Sequence, residues 1–120
     1  MTAPSRNRRR AFLRGHVAEH LAAFYLIAKG YRIMAMRYKT RSGEIDIVAR
    51  KKDLAVFIEV KARASIEDGL NAVTAETQER IRRASDIWLS RQQQAADLGA
   101  RYDVVVIRPW RWPAHFMSYF

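Results

Sequence analysis

The chain has 120 residues, no cysteine and a formal net charge of +10. That length suits one domain with a modest core, and the lack of cysteine excludes disulfides, thiolate chemistry and Cys-ligated zinc or iron–sulfur sites. No stretch approaches the ~18 apolar residues of a membrane span, and the Arg-rich start is not followed by an apolar run of signal-peptide length, so a cytoplasmic protein without membrane association is expected.

Residues 1–41 hold ten Lys/Arg against one acid, Glu19, whereas residues 42–120 hold twelve against eleven. The excess charge therefore sits in the first third, where it would attract a phosphate backbone. Residues 1–10 read as a basic flexible arm, and residues 11–120 as a single domain. From Ala11 to Lys29 the spacing is helical, with Val17, Leu21, Phe24, Tyr25 and Ala28 as the expected core stripe and Gly30 as the stop. Tyr31 to Tyr38 fits a short strand. "RSGE" then turns the chain, and Gly43 is expected to take a dihedral that other residues resist.

Two strands follow, Glu44–Arg50 and Leu54–Ala62, at hairpin spacing around "KKD". Residues 64–71 read as a polar connection, after which Asn71 or Thr74 caps a helix to about Gln94 with Ile81, Ala84, Ile87, Trp88 and Ala95 on its apolar side. "GARYDVVVIRP" reads as a last strand ended by Pro109. The segment WRWPAHFMSYF carries five aromatic residues, which fold back on the core or meet a partner; a homodimer through this segment is one reading. Helix, strands, helix, strand makes an α/β fold, a mixed β-sheet flanked by helices.

Ionisable residues interrupt the second hairpin strand, LAVFIEVKAR. Period-2 alternation puts Glu59 and Lys61 on one face with Phe57, opposite Val56, Ile58 and Val60. In the partner strand it puts Glu44 and Asp46 opposite Ile45, Ile47 and Ala49. A two-residue turn at Lys52-Asp53 sets Asp46 directly across from Glu59, whereas a turn centred on Lys51-Lys52 sets them diagonally. An ordinary half-exposed strand, with the charges paired to Arg50 or Arg63, accounts for the same pattern. The sharper reading is a pair of carboxylates that needs a counterion, with oxygen ligands suited to Mg²⁺ or Mn²⁺. Lys61 would stand beside the charge developing on a phosphate oxygen. Glu19, the lone acid of the basic third, is the candidate third ligand. His16 and His20 stand one turn apart, but HVAEH lacks the second-position acid of a zinc-protease helix. No Gly-rich phosphate loop is present.

"GHVAEHLAAFYLIAKGYRI", "GEIDIVAR", "LAVFIEVKAR" and "YDVVVI" together resemble the bacterial YraN family, related to the restriction-endonuclease-like superfamily. The resemblance spans roughly residues 11–120. It implies a restriction-endonuclease-like core and a divalent-metal site for phosphodiester hydrolysis at Glu19, Asp46, Glu59 and Lys61, with metal ligands Asp46, Glu59 and Glu19. In "AVTAETQERI" the chain departs from the family pattern, having Thr77 where a lysine is usual before the glutamine. Three functions follow as alternatives: a metal-dependent endonuclease acting on DNA or RNA, a non-catalytic nucleic-acid-binding module, and a protein-interaction subunit using Trp110, Trp112, Phe116, Tyr119 and Phe120.

Overall fold

A computed structural model describes residues 6–120, with side chains from Arg14 onward. The first five residues of the expected basic arm lie outside the described residues, and the helix expected from Ala11 already runs at Arg6. The elements are α1 (Arg6–Ala28), β1 (Arg32–Lys39), β2 (Glu44–Lys51), β3 (Leu54–Ala62), α2 (Ile66–Asn71), α3 (Ala75–Ser90), a 3-10 turn at Ala95–Asp97, β4 (Gly99–Ile107) and β5 (Ala114–Phe116).

The five strands form one sheet in sequence order, antiparallel except for the parallel pair β3–β4. A parallel pair needs a crossover, and α2 and α3 supply it. The sheet is mixed and carries α1 on one face and the α2–α3 crossover on the other, in accord with a restriction-endonuclease-like core. On the α1 face, Ala22, Leu26, Ile47, Val56, Ile58 and Val105 form the core; on the α3 face, Ile45, Val48, Phe57, Ile81 and Trp88 do. β3 is buried on both faces, which accounts for its nearly unbroken apolar run.

Two expectations are corrected here. The stripe of α1 that meets the sheet is the small one, Ala18, Ala22, Ala23 and Leu26, and Val17, Leu21 and Phe24 remain 48–68% exposed. Alanines allow the helix axis to lie close over the strands, which the larger stripe would prevent. Residues 66–71, expected to be loop, form α2, capped by the Ser65 hydroxyl accepting from the Asp68 N–H at 3.1 Å. Thr74 caps α3 in the same way. The chain after β4 does fold back, as β5 on the edge of β4, and Phe116 and Phe120 pack into the core there.

Among the described residues, no helix is long and apolar enough to cross a membrane.

Candidate carboxylate site

The β2–β3 hairpin turns through Lys52 and Asp53, with Lys52 in the left-handed region at φ +55°. Its ladder runs from Lys51 opposite Leu54 to Ile47 opposite Ile58 and then stops. One step further, where Asp46 would meet Glu59, a side chain replaces the main chain. The N–H of Val60 donates to Asp46 Oδ2 at 2.8 Å. This break rotates the start of β2, so Ile45 packs on the α3 side while Ile47 and Ala49 pack on the α1 side. The expected common stripe of Ile45, Ile47 and Ala49 is therefore broken at Asp46. Strict alternation fails because a carboxylate takes a place in the ladder.

Asp46, Glu59 and Lys61 line one pocket of about 230 Å³ at this end of the sheet, together with Glu44. Thr77, Arg80 and Ile81 of α3 close its other wall. α3 is brought this near by Gly43, although not through a special dihedral as expected, since Gly30 is the glycine with positive φ. A Cβ on Gly43 would stand 2.4 Å from the Arg80 carbonyl oxygen and 2.9 Å from its carbon, both backbone atoms that cannot swing aside. The glycine in GEID is thus a spacer between β2 and α3.

Glu59 is 9% exposed. Burial, then the hydrogen bond to Asp46 and the charge of Asp46, push the Glu59 carboxyl up to about 9, against the opposing charge of Lys61. The upward push favours the protonated form of Glu59 beside Asp46. The charge of Glu19 adds to the same upward push.

Glu19 stands apart from the pocket wall. It is buried on α1, and its Oε2 accepts from Arg37 Nε at 2.7 Å. Arg37 occupies the left-handed region at φ +52° within β1. Such strained non-glycine residues gather at functional sites. The hydrogen bond that Arg37 donates to Glu19 holds the guanidinium still more firmly protonated, outweighing burial.

Among the described residues, no three His, Asp or Glu side chains are grouped to hold a metal. Two carboxylates nevertheless suit a hard octahedral cation, since Mg²⁺ takes one or two protein carboxylates and fills its shell with water and phosphate oxygens. Asp46 accepts from the Val60 N–H through Oδ2 and shares a hydrogen bond with Glu59, which an ion would replace. His16 and His20 join no such group; His20 Nδ1 lies 2.8 Å from the His16 carbonyl oxygen.

Sequence reasoning missed Arg37 as the partner of Glu19, and it missed a third buried carboxylate altogether. Asp103 on β4 is fully buried, held by Arg101 through both oxygens at 2.9 and 2.7 Å, by His115 Nε2 at 2.7 Å and by the Ser118 N–H at 2.9 Å. Burial pushes the Asp103 carboxyl up, but the hydrogen bonds from His115, Arg101 and Ser118 outweigh it and hold it below its usual value. His115 Nδ1 faces Lys29 Nζ at 2.7 Å, which fixes the tautomer that donates from Nε2. This network bolts the segment after β4 onto the sheet. Its signal was legible, since an acid inside "RYDVVVI" is the same anomaly as Glu59 inside "VFIEVKA".

Residues 18–107 match the family model described as "Uncharacterised protein family UPF0102". A UPF0102 protein of Rhizobium meliloti is 56% identical over 117 residues, covering 98% of this chain and 96% of the relative. Similar relatives occur in Agrobacterium fabrum, at 54% over 116 residues with 97% and 95% coverage. In Brucella canis a relative is 52% identical over 120 residues, with 100% and 95% coverage. With the family model spanning most of the chain and these relatives matching it almost end to end, the chain belongs to the UPF0102 (YraN) family, within the restriction-endonuclease-like superfamily.

Proposed function

We propose that the chain binds DNA or RNA and hydrolyses phosphodiester bonds with the help of a divalent ion held by Asp46 and Glu59. The observation that carries this reading is the convergence of Asp46, Glu59 and Lys61 on one pocket, with the two carboxyls sharing a hydrogen bond in a buried setting. Asp46 has a structural partner in the Val60 N–H, but placing a second carboxyl, Glu59, against it in a buried setting is costly for the strands alone. Bound at these carboxylates, Mg²⁺ or Mn²⁺ would supply Lewis acidity toward water and a phosphate oxygen.

The chain's own residues divide the remaining work. Val60 orients Asp46 through its N–H. Glu59 must give up its proton to become a ligand. Lys61, a compact point charge on the same strand face as Glu59, stabilises the negative charge that grows on the phosphate. Arg80 on the opposite wall offers a second phosphate contact. Glu19, held by Arg37, would be the third acidic residue beside such an ion.

The test is cleavage of linear, branched and single-stranded DNA and RNA with Mg²⁺ or Mn²⁺. Wild type should turn over one class of substrate and D46N should not, while both give the same folded circular dichroism spectrum. Activity that survives D46N refutes the assignment.

A second reading, a nucleic-acid-binding module without turnover, is favoured by one observation. Thr77 lines the pocket where the resemblance would put a lysine, and its hydroxyl lies 3.1 Å from that of Thr74. Binding without cleavage by wild type across the whole panel would select it.

A further inference from the structure

The large apolar stripe that α1 turns away from the sheet does not face open solvent alone. It forms one side of a groove of about 1,090 Å³ whose other side is the β4–β5 loop, Arg108 to Pro113, and whose floor is Ala62–Ala64 at the end of β3. Four aromatic rings line this groove, Phe24, Tyr25, Trp110 and Trp112. Trp110 is fully exposed and Trp112 is 84% exposed. Trp110 also sits in the left-handed region at φ +58°, so the loop holds a bulky residue in a costly conformation while leaving its indole in water. Four arginines, Arg14, Arg63, Arg108 and Arg111, share the lining, and among the described residues no acid or lysine does.

We propose that this groove binds an unpaired nucleic-acid strand, its bases stacked on the exposed tryptophans and its phosphates on the arginines. The inference rests on the nucleic-acid reading above and deepens it by naming single-stranded segments as the form recognised. Rings interleaved with guanidiniums are the combination that grips single strands without sequence preference. Charge also decides between occupants. In a two-fold pairing of copies the same patch meets itself, which would bring eight guanidiniums together with no carboxylate between them. A polyphosphate strand neutralises them.

The groove and the carboxylate pocket flank the same end of β3 on opposite faces of the sheet. Lys61 lines the pocket and Ala62 lines the groove, adjacent residues of β3 at the same end of the sheet. α1 repeats the arrangement, with Ala18 in the groove and Glu19 acting on Glu59. A strand lying in the groove therefore leads over the end of the sheet toward Asp46 and Glu59, as at a junction between paired and unpaired segments.

Trp88, buried on α3, is the third tryptophan of the chain and serves as an internal reference. The experiment titrates the full chain with a 15-nucleotide oligo(dT), with a matched duplex and with heparin, following tryptophan fluorescence and the anisotropy of labelled DNA. Oligo(dT) should quench the wild-type signal. W110A/W112A should abolish the quenching and weaken oligo(dT) binding by about tenfold or more, the scale of one or two lost stacking contacts, with duplex binding changed less than twofold. R111A, in the same loop, should weaken oligo(dT) binding and lower its salt slope by about 0.7. Unchanged circular dichroism and Trp88 emission report that the variants fold. Equal binding of oligo(dT) by wild type and W110A/W112A, with duplex still bound, overturns the groove and leaves the nucleic-acid reading standing. Failure to bind oligo(dT) or duplex at low salt overturns both. Heparin competing as well as oligo(dT) without quenching, or a wild-type dimer that W110A/W112A dissociates while DNA binding persists, assigns the surface to acidic polymers or to self-association and overturns the proposal.

Discussion

Glu59 makes the stability of this protein depend on pH in an unusual direction. Burial and the neighbouring Asp46 push its carboxyl up from an ordinary 4.5 to about 9 in the folded chain. Between these values the folded state carries a proton that the unfolded state has lost. Stability contributed by this group is therefore full below the unfolded value and disappears as pH rises toward 9, at a slope of about 1.4 kcal/mol per pH unit at most. From pH 6 to pH 8 that is up to about 3 kcal/mol, or on the order of 10 °C in melting temperature for a domain of this size. E59Q replaces the protonated acid by a neutral isostere and should lack this component. The assay is thermal unfolding by circular dichroism at pH 6, 7 and 8 after EDTA treatment, wild type beside E59Q. The wild-type curve should fall relative to the variant, so that E59Q is the more stable protein at pH 8. Millimolar Mg²⁺ or Mn²⁺ should reverse the order at pH 8, because an ion displaces the proton from Glu59 and has no comparable ligand in the glutamine. Parallel profiles for the two proteins would refute the reasoning, since Glu59 would then titrate like an exposed carboxyl.

G43A should push α3 away from β2 and cost about 1–3 kcal/mol, the range for overpacking, with cleavage falling further than stability alone predicts; denaturation and turnover measured together check it. D103N should destabilise by about 3–5 kcal/mol because Arg101 loses a buried partner, and a loss in urea denaturation below ~1 kcal/mol would show that the network contributes little. K61A should lower the cleavage rate while leaving the affinity for nucleic acid within about twofold, the pattern of a group that acts on the transition state. T77K should increase cleavage; an unchanged rate would mean that the pocket works without a lysine on that wall.

Much of the fold was legible because periodicity and capping are local. β3 runs over the expected residues, Leu54–Ala62, and Thr74 caps its helix. What escaped was set by tertiary contact. α1 carries two apolar stripes at the same spacing, and only the close approach to the sheet selects the alanines. The need for glycine at position 43 comes from Arg80, 37 residues away in the chain, and not from the local turn. α2 was the exception, since Ser65 followed three residues later by Asp68 is a local capping signal that the polar composition of the segment obscured. At the candidate site, the hairpin register set Asp46 across from Glu59, while alternation along β2 broke at Asp46 itself. The Val60 N–H that aims Asp46 and the Arg37 that holds Glu19 depend on a broken ladder and a strained dihedral, and neither has a signature in residue type.

The position of β5 bears on how the chain can be made. While β4 is newly synthesised, its outer edge has no neighbour, and Asp103 has Arg101 beside it but neither His115 nor the Ser118 N–H. The sheet then ends in a bare edge of three consecutive valines, Val104 to Val106, which is the form of surface that pairs with other chains. Only when residues 114–118 follow does the edge close and the buried aspartate acquire its remaining partners. A ribosome that stalls between these points releases a chain whose sheet is assembled but unsealed, and such fragments should be strong substrates for holdase chaperones and aggregation. The same geometry leaves little tolerance for insertions between β4 and β5, because the loop that displays Trp110 and Trp112 is also the tether that delivers the closing strand.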